Sequence, residues 1–158
     1  MTIQALLQPG RVLSNVEARS KKHSLDIVSE LLSSAADLDQ GEVFQSLISR
    51  EKLGCTAIEN GIAIPHGRLA EIDAPVGAFL KLSRPVDFDM PDRDPVDLIF
   101  AILVPTAGAG EGCHHEEVSE VASALADRGL AAALRRATSS RSLYDLLVNH
   151  QAARAASA

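Results

Sequence analysis

The chain contains no tryptophan, and aromatic residues make up only 3% of its 158 residues. An aromatic-rich binding surface is therefore excluded, and the core must be built mainly from leucine, isoleucine, valine and alanine. Positive charge is not in excess either. The formal net charge is -6, which argues against a nucleic-acid or anionic-membrane partner while leaving room for a local basic site. The two cysteines, Cys55 and Cys113, are too few for a disulfide framework, so a reduced, cytoplasmic setting is expected. No apolar stretch approaches the length of a membrane-spanning helix, so no membrane insertion is expected. The N-terminus, MTIQALLQPGR, lacks the charged start and sustained apolar segment of a signal peptide. A zinc site from Cys55, Cys113, His114 and His115 is a poor reading, because paired metal-ligand spacing such as C-x-x-C is missing. The acidic stretch DFDMPDRDPVD, with Asp87, Asp89, Asp92, Asp94 and Asp97, lacks the glycine and closing glutamate of a calcium loop and is broken by Pro91 and Pro95. Turn chemistry on a solvated surface accounts for it.

What is present is enough apolar residue, 46%, for one ordinary core, with no internal repeat or interdomain linker. A single domain over residues 1–150 is expected, followed by a frayed tail, QAARAASA, at 151–158. After a short apolar opening and a Pro9-Gly10 turn, Arg11 to Val16 reads as a strand. Val28, Leu31, Leu32 and Ala35 recur at helical spacing between about Ser20 and Ala36, and Lys21, Lys22 and His23 read as its solvated end. Asp39 followed by Glu42 forms a capping-box-like start for a second helix with a stripe of Val43, Phe44, Leu47 and Ile48, ending at a left-handed Gly54. Val76, Ala78, Leu80 and Leu82 alternate with Gly77, Phe79 and Lys81 as a strand does, and Pro85 is expected to end it. Leu98 to Val104 is an unbroken apolar run, as in a central strand covered on both faces, and it stops at Pro105. A helix then places His114, Val118, Val121, Ala122 and Leu125 on one face, with His115 off that stripe. Leu130 to Ala137 is a short helical piece, and Ser139 or Ser140 caps a last helix carrying Leu143, Leu146 and Leu147.

The stretch Ser49–Arg68, SREKLGCTAIENGIAIPHGR, carries the chemistry. Proline lacks an N–H, so a strand over Ile62-Ala63-Ile64 should end at Pro65 and present His66 at a sheet edge or tip. Gly67 has no Cβ and should let another molecule's backbone or phosphate approach the imidazole. An exposed imidazole on a rigid mount is a nucleophile, although a histidine after a strand is also an ordinary surface or capping residue. Arg50, in the last turn of the second helix, has two readings: a cation at the negative end of a helix dipole, or an anion clamp reaching towards His66. Spacing does not decide between them. His114, at the carboxyl end of a central strand, is aimed at the edge where open α/β sheets place their sites, or else is satisfied by a nearby carbonyl.

Arg50-Glu51-Lys52-Leu53-Gly54, Asn60-Gly61-Ile62-Ala63-Ile64-Pro65-His66-Gly67-Arg68, the Leu103-Val104-Pro105 strand end and the downstream His114 together resemble the mannitol/fructose-type enzyme IIA family of the bacterial phosphoenolpyruvate-dependent phosphotransferase system. Within it, the wording is most similar to the nitrogen-regulatory branch. The resemblance covers nearly the whole chain and implies a single-domain α/β sandwich, a mixed, mostly five-stranded sheet flanked by helices. It also implies a phosphocarrier of the transferase class, with His66 as phosphoryl acceptor and His114 and Arg50 stabilising the phosphate. An HPr-like phosphohistidine protein would be the donor, no cofactor or metal would be needed, and a sensor kinase or potassium transporter subunit would be the kind of target that reads the phosphorylation state. Two departures stand out: Cys55 occupies a position where relatives commonly have serine, and the extra His115 leaves the register of the second histidine open, with helical phase favouring His114. The alternatives are a sugar-specific IIA that passes phosphate to a IIB transporter subunit, and a protein-binding module without phosphotransfer.

Overall fold

The computed structural model describes residues 2–35, 37–89, 94–106 and 115–157. In chain order these form α1 (Thr2–Leu6), a 3-10 turn (Pro9–Arg11), β1 (Val12–Val16), α2 (Lys21–Ser33), α3 (Gln40–Leu53), β2 (Ala57–Ile58), β3 (Ile62–Ala63), β4 (His66–Leu69), β5 (Val76–Val86), β6 (Val96–Pro105), α4 (His115–Leu125), α5 (Arg128–Arg136) and α6 (Ser140–Ser157). The expected mixed sheet flanked by helices is what forms. Five strands lie on one path, β1-β5-β6-β3-β2, and the sixth, β4, pairs with β6 beyond the end of β3.

β6 is the centre of this sheet, antiparallel to β5 and parallel to β3 and β4. Its unbroken apolar run is explained by cover on both sides. Leu98, Phe100, Ile102 and Val104 face a cluster with Ile3 and Leu6 of α1, Val121 and Leu125 of α4, Leu130 and Leu134 of α5, and Leu143 and Leu147 of α6. Ile99, Ala101 and Leu103 face the opposite cluster, with Val28 and Leu32 of α2 and Val43 and Leu47 of α3. The period-2 alternation of β5 works the same way: Phe79 meets Phe100 edge-on at 6.1 Å on the first face, while Ala78, Leu80 and Leu82 line the second.

Local signals account for the helices closest to the site. Ser20 caps α2, its hydroxyl accepting from the His23 amide at 3.1 Å, and Asp39 caps α3, its carboxylate accepting from the Glu42 amide at 2.9 Å. α3 stops at Gly54 as expected, but with φ 162° and ψ 145°. That is extended backbone, not a left-handed cap.

Proline is less of a full stop than expected. β5 runs through Pro85 to Val86, because the ladder with β6 is irregular between Lys81 and Val86 and asks no amide of the proline. Asp97 also departs from the solvated-turn expectation. It lies within β6, and its carboxylate accepts from Arg135 Nε at 3.0 Å and Nη2 at 2.7 Å, closing α5 onto the start of the strand. Asp87 does behave as turn chemistry, accepting from the Asp89 amide at 2.9 Å. Asp92 lies outside the described residues.

Candidate functional site

His66 follows the end of β3 at Ala63, but at the opening of a strand and not at a tip. It opens β4, and β4 continues the line of β3. Ile62 lies opposite Leu98 and His66 opposite Ile102, both 36 positions apart, so register is kept across Ile64 and Pro65. Pro65 contributes its carbonyl, which accepts from the Ile102 amide at 2.9 Å, and the line requires no donor from it. His66 shares the face of Ile102, the one covered by α1, α4, α5 and α6, whereas Gly67 turns to the opposite face, beneath α3.

The role expected for Gly67 is corrected by that packing. A Cβ at Gly67 would lie 2.1 Å from Ser46 Oγ and 3.0 Å from the Ser46 backbone carbon. The missing side chain admits α3 of the same chain, not another molecule. Ser46 Oγ then donates to the Arg68 carbonyl at 2.9 Å, fastening helix to strand just after the glycine.

With β4 pressed onto α3, the last turn of α3 reaches the imidazole. Arg50 Nε donates to His66 Nε2 at 3.1 Å, and Arg50 Nη1 donates to the Gly54 carbonyl at 2.9 Å. One arm of the guanidinium caps its own helix and the other meets the histidine. On the far side of the ring, His66 Nδ1 is 2.9 Å from the Ile64 carbonyl. A carbonyl only accepts and a guanidinium only donates, so the proton belongs on Nδ1 and the lone pair on Nε2. The result is a half-buried neutral imidazole with its basic nitrogen aimed at a cation.

Of the three predicted site residues, then, His66 and Arg50 are in direct contact. His114 lies outside the described residues, as does Cys113. His115 opens α4. Sequence reasoning missed a cluster that begins at the residue next to Arg50. Glu51, 8% exposed, accepts from the Thr56 amide at 3.3 Å and from the Thr56 hydroxyl, and pairs with Lys21 at 2.9 Å. Lys21, expected at a solvated helix end, is thus a partly buried counter-charge, its ammonium also 5.2 Å from the centre of the Phe88 ring. The only signal for Glu51 was its place beside Arg50. Cys55 is held by structure as well, its thiol donating to the Phe88 carbonyl at 3.4 Å.

A nucleophilic nitrogen beside a guanidinium suits transfer of an anionic group, and likeness to known proteins narrows the group. The sequence model of the family described as "Phosphoenolpyruvate-dependent sugar phosphotransferase system, EIIA 2" matches residues 5–150. The chain belongs to this EIIA type 2 family. Its relatives include the nitrogen regulatory protein of Pseudomonas aeruginosa, 41% identical over 150 residues that cover 94% of this chain and 96% of the relative. The nitrogen regulatory protein of Escherichia coli K12 is 43% identical over 86% of this chain and 83% of its own length. Among solved structures, the nitrogen regulatory protein IIA-Ntr of Neisseria meningitidis superposes with a TM-score of 0.84 at 35% identity, covering 93% of this chain and 99% of that one. This IIA protein is therefore a regulatory member of the phosphotransferase system and a phosphocarrier that takes part in phosphoryl transfer. Proteins of the family exchange phosphate with HPr-like and IIB partners. No helix among the described residues is long and apolar enough to cross a membrane.

Proposed function

We propose that His66 Nε2 is the phosphoryl acceptor, that Arg50 and His114 stabilise the transferred group, and that an HPr-like phosphohistidine protein of the nitrogen branch is the donor. The observation that carries this reading is the pair of bonds on the imidazole. Nδ1–H is tied to the Ile64 carbonyl, so Nε2 has a lone pair and no proton to lose. In the step, the donor's N–P bond breaks as the P–Nε2 bond forms, and the donor imidazole leaves with the electron pair. Arg50 must give up its bond to Nε2 as phosphorus arrives, and its Nε–H is then available to a phosphoryl oxygen while Nη1 stays on Gly54. The step asks for in-line placement and charge stabilisation, with no metal or bound cofactor. Classed by its chemistry this is a transferase, in one domain over residues 1–150 with 151–158 as its tail, working in the cytoplasm. Its phosphorylation state is the signal: a dianionic group on a near-neutral ring changes which protein docks on that face, a sensor kinase or a potassium transporter subunit being the kind of target.

Intact-protein mass spectrometry at alkaline pH tests the reading, after incubation with phosphoenolpyruvate, enzyme I and an HPr-type carrier. One phosphoryl group is expected on the wild type and none on His66→Ala. No addition to the wild type with either a sugar-branch or a nitrogen-branch carrier refutes it.

A further inference from the structure

We propose that Glu51, acting through Thr56, is a positioning residue for phosphoryl transfer, with Lys21 as its partly buried counter-charge; this rests on the reading of His66 as acceptor. Two of the bonds to the His66 imidazole, from Arg50 and to the Ile64 carbonyl, hang from one closed frame. On one side, His66 Nδ1 donates to the Ile64 carbonyl, and the Ile64 amide in turn donates to the Thr56 carbonyl at 3.1 Å. On the other, Arg50 Nε meets Nε2 while Arg50 Nη1 is anchored on the Gly54 carbonyl, two residues before Thr56. The two arms meet where the chain reverses from α3 into β2, and Glu51 is what fastens that reversal. Its backbone carbonyl accepts from the Gly54 amide at 3.2 Å, and its carboxylate accepts both the amide and the hydroxyl of Thr56.

The chemistry fits a device for orientation. The Glu51 side chain is 4% exposed and that of Lys21 17%, so the carboxylate has exchanged water for the hydroxyl, amide and ammonium that surround it. Such a carboxylate–ammonium pair contributes little net stability against an apolar replacement of similar volume, and on this proposal its role is to fix one arrangement. Here the fixed arrangement is the relative placement of Gly54, Thr56 and Ile64, hence of the Arg50 guanidinium and the Ile64 carbonyl on the ring. Loosening it moves Arg50 and turns the imidazole together, and displacements of that kind cost about tenfold to a hundredfold in rate without touching the reacting atoms.

The test compares wild type with Glu51→Gln, Thr56→Val and Thr56→Ser, using His66→Ala as the blank. The readouts are phosphorylation kinetics with an HPr-type donor and long-range nitrogen–proton NMR spectra of the His66 ring. Glu51→Gln and Thr56→Val are expected to lower kcat at least tenfold with KM for the donor protein unchanged. In the spectra, His66 should pass from a single Nδ1–H tautomer to a mixture. Thr56→Ser, which restores the hydroxyl, should restore both. Thr56→Val removes only that hydroxyl at nearly constant volume, so it carries the test where Glu51→Gln does not fold. Folded variants that are less heat-stable yet keep wild-type kcat and one tautomer would overturn the proposal and leave Glu51 a purely structural residue. A wild type that takes no phosphoryl group on His66 would sink the acceptor reading instead, and the tautomer spectra would still decide for or against the frame.

Discussion

Gly67→Ala is the sharpest test of how the site is mounted. The added Cβ would meet Ser46 Oγ at 2.1 Å, the Ser46 backbone carbon at 3.0 Å and Ser46 Cβ at 3.1 Å. The hydroxyl can swing aside, but only by surrendering its 2.9 Å bond to the Arg68 carbonyl, a loss of about 1 kcal/mol. The backbone carbon cannot swing. For ordinary contact α3 must retreat from β4 by a few tenths of an ångström, and overpacking of this kind costs about 1–3 kcal/mol. The sum is about 2–4 kcal/mol, which for a domain of this size is a fall in melting temperature of about 4–16 °C. Urea denaturation of Ser46→Ala, Gly67→Ala and the double variant separates the two contributions. Ser46→Ala should cost about 1 kcal/mol, and the double should cost less than the two singles together by about that amount, because the hydrogen bond is counted once. A Gly67→Ala protein within about 0.5 kcal/mol of wild type, the scatter of ordinary surface changes, would mean that α3 and β4 are not packed this closely and that the mount of His66 has been misread.

Three further outcomes are expected. Arg50→Lys should slow phosphorylation about tenfold to a hundredfold, since one ammonium cannot reproduce the planar fork that spans the Gly54 carbonyl and His66 Nε2; rapid-quench kinetics against wild type measures it. His114→Ala should slow labelling without abolishing it while His115→Ala leaves it unchanged, and the opposite ranking in the same assay would transfer the supporting role to His115. Arg135→Ala strips the Asp97 carboxylate of its two-pronged partner and should destabilise by about 1.5–3 kcal/mol in urea. Its phosphorylation rate should stay at the wild-type value, because Asp97 lies five residues along β6 from the partner of His66, about 16 Å at strand rise.

How much of this was legible beforehand depends on how far apart the deciding residues lie. α3 was placed by Asp39, Glu42 and Gly54, all local, and β6 by an apolar run that only two-sided cover explains. Pro85 misleads because a proline ends a strand only where the ladder needs its missing amide, whereas Pro65 does fall in the break between β3 and β4. Pro65 needs only its carbonyl, and Pro85 falls in an irregular stretch, and both facts belong to the neighbouring strand rather than to the local sequence. Nothing within a few residues of Gly67 reveals Ser46, twenty-one positions upstream and packed against it from α3, so the local sequence points to an incoming molecule instead. Lys21 looked solvated for the same reason, its partner Glu51 being thirty positions away.

Arg50 shows why motif spacing could name the site without resolving it. Helix-end capping and contact with His66 were competing explanations for one side chain only while the guanidinium was treated as a single point. Its planar fork has donors to spare, and Nη1 holds the Gly54 carbonyl while Nε holds the ring. On the reading of His66 Nε2 as acceptor, these two bonds have different fates. The Nε bond uses the lone pair that becomes the P–N bond, so it exists only in the unphosphorylated protein. The Nη1 bond uses a carbonyl the reaction never touches, so it persists. The arginine is thereby tethered at one end and released at the other by the event a partner has to detect, and charge is rearranged at the mouth of the site while the fold that mounts it stays still.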